Sequence, residues 1–294
     1  MANPIIRQKL DRGEFFVAPG VQDMITAAIC RKVGFEVVYG TGYWLTASAY
    51  GLPDAGIATY TQMVDRMGTL VRSSDGAVIA DADTGYGGLL NVHHTVRGYE
   101  AAGVTAIQLE DQEFPKKCGH TPFKRVIPLQ DMVDKIKVAS DAREDKENCL
   151  IIARTDARAG EGMDNALRRA EAYRKAGADL IFFEAPQSEE EMRRACETID
   201  APMVANMADG GVTPILPASV LQEIGFACAI FPAMTSMVAA AAMETALIRL
   251  KEEGLGQAPD IARFDFKEFC SLIGFEEVWA FERQWGPSAS SSES

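Results

Sequence analysis

Ala77-Val78-Ile79-Ala80-Asp81-Ala82-Asp83-Thr84-Gly85-Tyr86-Gly87-Gly88 begins as a short apolar run, ends that run on a carboxylate, and passes into a glycine-rich loop. The apolar part predicts a β-strand, Ala77–Asp81. Asp81 and Asp83 stand two residues apart where strand becomes loop. Carboxylates are hard oxygen donors, and with flexible glycines beside them they suit Mg2+ or Mn2+; Mg2+ keeps several of its waters, so few direct protein bonds are needed. A solvated turn is the plainer reading of two aspartates at this spacing taken alone.

The same form recurs on both sides. Strands are expected at Glu14–Ala18, Glu36–Tyr39, Ala106–Glu110, Leu150–Arg154, Leu180–Glu184, Met203–Asn206 and Cys228–Phe231. Between them lie helical patterns at Asp23–Val33, Tyr60–Ser73, Val92–Ala102, Leu129–Arg143, Met163–Ala176, Glu189–Ile199 and Pro217–Glu223, and a long one follows at Thr235–Glu253. Strictly alternating strand and helix predicts an α/β chain with a parallel sheet, and the number of units in this length matches a (β/α)8 barrel. The polar residues favour the barrel over a doubly wound sheet. Asp81, Glu110, Arg154, Glu184 and Asn206 each fall at or near the C-terminal end of an expected strand. A barrel gathers all those ends on one face, whereas an open sheet gathers them only near a switch point. Gly103, Gly177 and Gly225 stand where helices should end before the next strand.

At 294 residues, 47% hydrophobic and 24% charged, the chain has ordinary globular composition. Its 29 basic and 42 acidic residues leave a net charge of −13, which argues against nonspecific binding to nucleic acid or anionic membrane. An anionic ligand therefore needs local cations such as Arg154, Lys116 and Lys117. Cys30, Cys118, Cys149, Cys196, Cys228 and Cys270 form no CxxC pair, so neither a zinc knuckle nor a disulfide framework is expected. With no signal-peptide pattern and no bilayer-length apolar run, the expectation is a cytoplasmic protein without membrane partners. Residues 1–254 are read as the barrel domain, 255–286 as a linker and an aromatic-rich C-terminal helical segment, and 287–294 as a disordered Ser-rich tail. The apolar face of the C-terminal segment (Phe266, Phe269, Cys270, Ile273, Val278, Phe281) needs a partner surface.

A second stretch carries chemistry. Lys116-Lys117-Cys118-Gly119-His120 puts a thiol beside cations, which lowers its pKa from the free value of roughly 8.5 and equips it to exchange a proton near neutrality. Glycine lets such a loop bend or close. This run resembles the signature loop of the isocitrate lyase / phosphoenolpyruvate mutase superfamily, in the branch with 2-methylisocitrate lyase, 2,3-dimethylmalate lyase and a plant petal-death lyase. Leu52-Pro53-Asp54, the Asp81–Gly88 run, Ala153-Arg154-Thr155-Asp156-Ala157, Phe183-Glu184-Ala185 and Ala205-Asn206-Met207 resemble it too, in order, from about Gly13 to about Trp285.

The resemblance implies a Mg2+-dependent carbon–carbon lyase that cleaves a 2-hydroxy di- or tricarboxylate to pyruvate or glyoxylate and a carboxylate. It also implies a C-terminal helix exchanged between subunits, and a dimer or homotetramer. Asp81, Asp83, Glu110 and Asp54 are then the metal set. Cys118 is the general acid, with Lys116, Lys117 and His120 stabilising the developing dianion. Arg154 can fork onto a substrate carboxylate, Asn206 can hydrogen-bond one, and Glu184 can orient water, metal or the substrate hydroxyl; for Arg154 and Glu184 a structural ion pair is the alternative. Tyr39 is a second candidate for the hydroxyl proton, against a core tyrosine. The amides of Thr41, Gly42 and Tyr43 can form an anion nest, against a plain strand-to-helix turn. Tyr43 and Trp44 are bulkier than the small residues of typical methylisocitrate lyases, which tilts the pocket towards substituted malates. Pro232 stands where oxaloacetate hydrolases tend to carry serine, so it favours the lyase over that alternative. A phosphonate mutase and a non-catalytic oligomeric scaffold are the other readings; the cysteine loop argues against the first, and intact metal and acid residues against the second. His93 and His94 are read as surface or cap residues.

Overall fold

The computed structural model describes residues 2–117, 124–254, 256 and 261–286. Eight strands close into one parallel barrel in sequence order: β1 Phe16–Val21, β2 Val37–Gly40, β3 Ala77–Asp81, β4 Ala106–Glu110, β5 Leu150–Thr155, β6 Leu180–Phe183, β7 Met203–Asn206 and β8 Cys228–Phe231. The helices are α1 Ile5–Asp11, α2 Met24–Val33, α3 Gly42–Tyr50, α4 Tyr60–Ser74, α5 Leu89–Ala101, α6 Leu129–Ala142, α7 Arg158–Glu161, α8 Met163–Lys175, α9 Glu189–Thr198, α10 Ala218–Ile224, α11 Met234–Glu253, α12 Phe266–Leu272 and α13 Phe275–Trp285. The expected (β/α)8 architecture is therefore present.

Strand periodicity explains how this sequence builds a site. Successive side chains alternate between the barrel interior and the surrounding helices. Ala77, Ile79, Ala106, Leu150, Ile152, Leu180, Phe182, Val204 and Ile230 pack together inside the barrel, joined by Ile6 of α1. Val78, Ala80, Ile107, Leu109, Ile151, Ala153 and Ile181 face the helices with Met67, Val96, Ile136 and Ala170. Continuing the interior parity to each strand's C-terminal end reaches Tyr39, Asp81, Gln108, Glu110, Arg154 and Asn206. The lower layers are apolar filler and the upper layer is polar. That division fixes which end of the barrel is chemical.

Differences from the sequence reading are local. β1 starts at Phe16 and extends through Pro19-Gly20 to Val21, past the expected end at Ala18. That dipeptide reads as a turn, but the strand needs a residue without a side chain at Gly20: an added Cβ would lie 2.5 Å from the Pro232 backbone. The short α1 and α7, and α3 with its aromatic and β-branched residues, carry weak helical signals and were not anticipated. The expected helix ends are confirmed by the left-handed Gly177 (φ 113°) and Gly225 (φ 110°).

The chain falls into two compact units, Met1–Val238 and Ala239–Ser294. In the second, Phe264 packs on Phe269 and Phe275 on Trp279. Phe266, Val278, Phe281 and Trp285 are exposed, whereas Cys270, expected on the same open face, is buried. Among the described residues no helix is long and apolar enough to cross a membrane. The tail 287–294 lies outside the described residues.

Candidate active site

A cavity of about 270 Å3 opens at the C-terminal end of the barrel. Tyr39, Thr41, Tyr43, Asp54, Asp81, Glu110, Lys116, Lys117, Arg154, Asn206 and Pro232, all singled out from sequence, line it. Trp44, Phe182, Ala208, Asp209, Ile230, Ala233 and Met237 supply a mostly apolar remainder. Gly42, Asp83 and Glu184 do not line the cavity, although each contacts a residue that does. Cys118 and His120 lie outside the described residues. His93 and His94 are exposed on α5, with the His94 ring against Tyr60.

The aspartate pair is organised by the loop that follows β3. Asp81 Oδ1 accepts from the Asp83 amide (3.0 Å) and from Gln108 Nε2 (3.3 Å), and Oδ2 accepts from the Gly42 amide (3.3 Å). The Gly42 amide is thus committed to a protein carboxylate, and Thr41-Gly42 form the start of α3. An added Cβ at Gly42 would lie 2.8 Å from Asp81 Oδ2, so this close approach requires glycine. Asp83 has φ 50°, a conformation costly for a non-glycine residue. The loop is braced by Lys135, whose ammonium donates to the Thr84 carbonyl (2.8 Å), and by the Tyr86–Tyr99 hydroxyl pair (2.9 Å).

Lys116 is the buried cation of the carboxylate cluster. Its Nζ lies 2.5 Å from Asp54 Oδ1 and 2.7 Å from Asp83 Oδ1. Burial disfavours its charge, but Asp83, Glu110, Asp81 and Asp54 hold the ammonium well above its ordinary pKa. Burial, reinforced by Asp81 and Asp54 and opposed by Lys116, pushes Asp83 up to about 7. Burial also lifts Glu110 well above the carboxylate range, although Arg154 and Lys116 oppose it. A further cation in the cavity would restore that charge.

Arg154 is gripped on several sides. Asp156 takes its Nε (2.8 Å) and Nη2 (3.0 Å), the Phe182 ring lies beneath it at 4.9 Å, and Glu110 and Glu184 each stand 3.5 Å away. Asn206 Nδ2 donates to Glu184 Oε2 (3.0 Å). Tyr39 donates to Gln108 Oε1 (2.9 Å), and burial holds its phenol well above the ordinary value, so it serves as a donor far more readily than as a base.

Among the described residues no three acidic, histidine or cysteine side chains close into a compact metal cage. The donors nevertheless fit a hydrated divalent cation. They are hard oxygens, and Glu110 Oε1 and Asn206 Oδ1 are buried without a hydrogen-bond partner among the described residues. Two residues of this centre escaped the sequence reading. Gln108 carries a readable signal, a polar side chain in an apolar strand two residues before Glu110. Asp156 follows Arg154 at the same spacing, but only the structure pairs them.

Several of the other thiols are held protonated by burial. Burial pushes Cys149, Cys196 and Cys228 up to about 12, and also raises Cys30. At pH 7.5 a thiol of pKa 12 is thiolate only to roughly 1 part in 10⁴ to 10⁵. Iodoacetamide is therefore expected to modify Cys118 first in the folded protein, and Cys149, Cys196 and Cys228 only after unfolding. Peptide mass mapping over time checks the order; labelling of a buried thiol ahead of Cys118 contradicts it.

The family model for phosphoenolpyruvate phosphomutase matches residues 6–251. The chain is 44% identical to 2,3-dimethylmalate lyase of Eubacterium barkeri, over 95% of this chain and 96% of that protein. It is 40% identical to 2-methylisocitrate lyase of Halalkalibacterium halodurans, over 94% and 91%. Among solved structures, oxaloacetate acetylhydrolase in complex with 3,3-difluorooxalacetate superimposes with a TM-score of 0.91 at 31% identity, covering 97% of each chain. Phosphonopyruvate hydrolase in complex with oxalate and Mg++ superimposes with a TM-score of 0.87 at 30% identity, covering 97% of this chain and 99% of that one.

Proposed function

The chain belongs to the phosphoenolpyruvate phosphomutase family, and on that premise we propose that it is a carbon–carbon bond lyase. Its substrate is a 2-hydroxy acid of the substituted malate or 2-methylisocitrate type, and its products are pyruvate and a carboxylate such as propionate or succinate. Glyoxylate is the less favoured oxo acid. The observation that carries this reading is the gathering of Arg154, Asp81, Glu110 and Asn206 around one cavity, with Lys117 on its wall directly preceding Cys118 in the chain. The relatives named as lyases support it.

Asp81 and Glu110 are the residues that would hold Mg2+ or Mn2+, with Asp83 and Asp54 acting through water or through Lys116. A cation held there would supply Lewis acidity to the hydroxy acid. Arg154 binds a substrate carboxylate and Asn206 hydrogen-bonds it without adding charge. Cleavage breaks the C2–C3 bond, and its electron pair passes to the C3 fragment as an enediolate. As the C2 carbonyl forms, the oxygen on C2 gives up its proton to the Glu184 carboxylate through a bridging water, since Glu184 stands behind the cavity wall. Tyr39 is the other candidate, but burial keeps its phenol protonated and so unavailable to take the proton. The Cys118 thiol then protonates C3, while Lys116, Lys117 and His120 stabilise the dianion until it does. The domain reading that goes with this function is a catalytic barrel over 1–254 and a segment 255–286 exchanged between subunits of a homotetramer; we place the enzyme in the cytoplasm.

A substrate panel tests the reading. With Mg2+, 2,3-dimethylmalate or 2-methylisocitrate is expected to yield pyruvate, and excess chelator to abolish turnover. Consumption of oxaloacetate alone, giving oxalate and acetate, would replace the lyase with a hydrolase.

A further inference from the structure

We propose that Asp156 is a positioning residue that sets the orientation of Arg154 for the substrate carboxylate, and that Lys124 is its partner in doing so. This deepens the lyase reading and rests on the role of Arg154 in it. Asp156 does not line the cavity, whereas Arg154 does. The Asp156 carboxylate is fully buried and takes the Nε and Nη2 edge of the guanidinium bidentately, at 2.8 and 3.0 Å. Phe182 closes one face of the same group. An arginine offers its donors in a rigid planar fork, so occupying one edge and one face determines where the remaining donors point.

Asp156 is itself held on two sides. Lys124 Nζ lies 2.9 Å from its Oδ1. Its backbone amide donates to Asp111 Oδ1 (2.8 Å), and Asp111 Oδ2 accepts from Thr155 Oγ1 (2.8 Å) and Tyr173 of α8 (2.7 Å). The Ile127 amide donates to the Asp111 carbonyl (2.8 Å), and Arg169 of α8 donates to the Ile127 carbonyl (3.0 Å). The segment bridged to Gln112 through Val126 is thereby fastened to Asp111. The segment carrying Lys124 thus holds the Asp156 carboxylate directly, α8 behind β5 holds its backbone through Asp111, and among the described residues Asp156 reaches the cavity through Arg154.

Asp156→Asn replaces one acceptor with an NH2 that must face Arg154 or Lys124. Glu184 remains beside the guanidinium and keeps an acidic partner for it. Oxalate with saturating Mg2+ is the binding probe, followed by calorimetry, and lyase kinetics are measured in parallel. For Asp156→Asn the affinity for oxalate is expected to fall about tenfold or more and KM to rise in step, with kcat within about threefold and Mg2+ affinity unchanged. Lys124→Met is expected to shift KM about threefold in the same direction. The double variant should be no worse than Asp156→Asn alone, because both act on one contact. Wild-type oxalate affinity in Asp156→Asn, or a kcat loss at constant KM, overturns the proposal. Should Asp156→Asn not fold, unchanged KM in Lys124→Met overturns it. Absence of any oxalate binding to the wild-type enzyme with Mg2+ sinks the lyase reading as well, which separates the two failures.

Discussion

Cys118→Ser is expected to lower kcat by about 10² to 10⁴ while leaving Mg2+ and oxalate binding intact. A hydroxyl in place of the thiol keeps size and polarity but raises the pKa of the acid beyond use near neutrality. The proton that C3 must receive then has no donor matched to it. In the proposed mechanism the thiol acts on the departing fragment, after Arg154 and Asn206 of the cavity wall have held the substrate, so the loss should fall on kcat. Stopped-flow measurement of pyruvate release, with calorimetric titration of Mg2+ and oxalate, checks both halves. Near-normal turnover in the serine variant removes the thiol from the mechanism. Lost Mg2+ binding in that variant would instead give Cys118 a structural or ligating role.

Asp81→Asn should cost about a thousandfold or greater in turnover, and unlike Cys118→Ser it should also bring a 10- to 100-fold loss of Mg2+ affinity. Asp81 accepts at both oxygens, from the Asp83 and Gly42 amides and from Gln108. An asparagine there must turn an NH2 towards one of those donors, so it loses charge and also disturbs the loop that carries Asp83. Removing an acid also leaves Lys116 with less compensation in a buried site. The measurement is Mg2+ titration by calorimetry beside kinetics over a range of Mg2+ concentrations, with circular dichroism to confirm the fold. Recovery of wild-type kcat at high Mg2+ would show that Asp81 only raises affinity. Unchanged affinity would remove it from the metal site.

Most of the barrel was legible because its information is local. A strand buried on both faces needs a short apolar run, a helix on its outside needs an apolar stripe, and a left-handed turn needs glycine. Ala77–Asp81, Ala106–Glu110 and Met203–Asn206 satisfied these rules and form strands with those bounds. β1 was misplaced because Pro19-Gly20 looks like a turn by the same local rules, while its need is set by Pro232 across the barrel seam. α3 was missed because Thr41-Gly42-Tyr43-Trp44 has poor helical propensity, yet packing stabilises it. The site was legible only as an inventory. Polar residues at strand ends named Asp81, Glu110, Arg154 and Asn206, but nothing local said that Asp54 and Asp83 share Lys116. Gln108 and Asp156 were passed over although the sequence displayed them.

From sequence alone, then, the order of strands and helices, the polar end of the barrel and the residue types available there were determined, because each depends on neighbours a few positions away along the chain. Which of those residues became partners was decided only by closure of the barrel. Lys116 between Asp54 and Asp83, Asp156 against Lys124, and Tyr39 on Gln108 all join separate strands or loops. Hydrogen bonds and ion pairs depend on distance and angle to fractions of an ångström, and segments remote in the chain acquire such distances only when the whole sheet has curved back on itself.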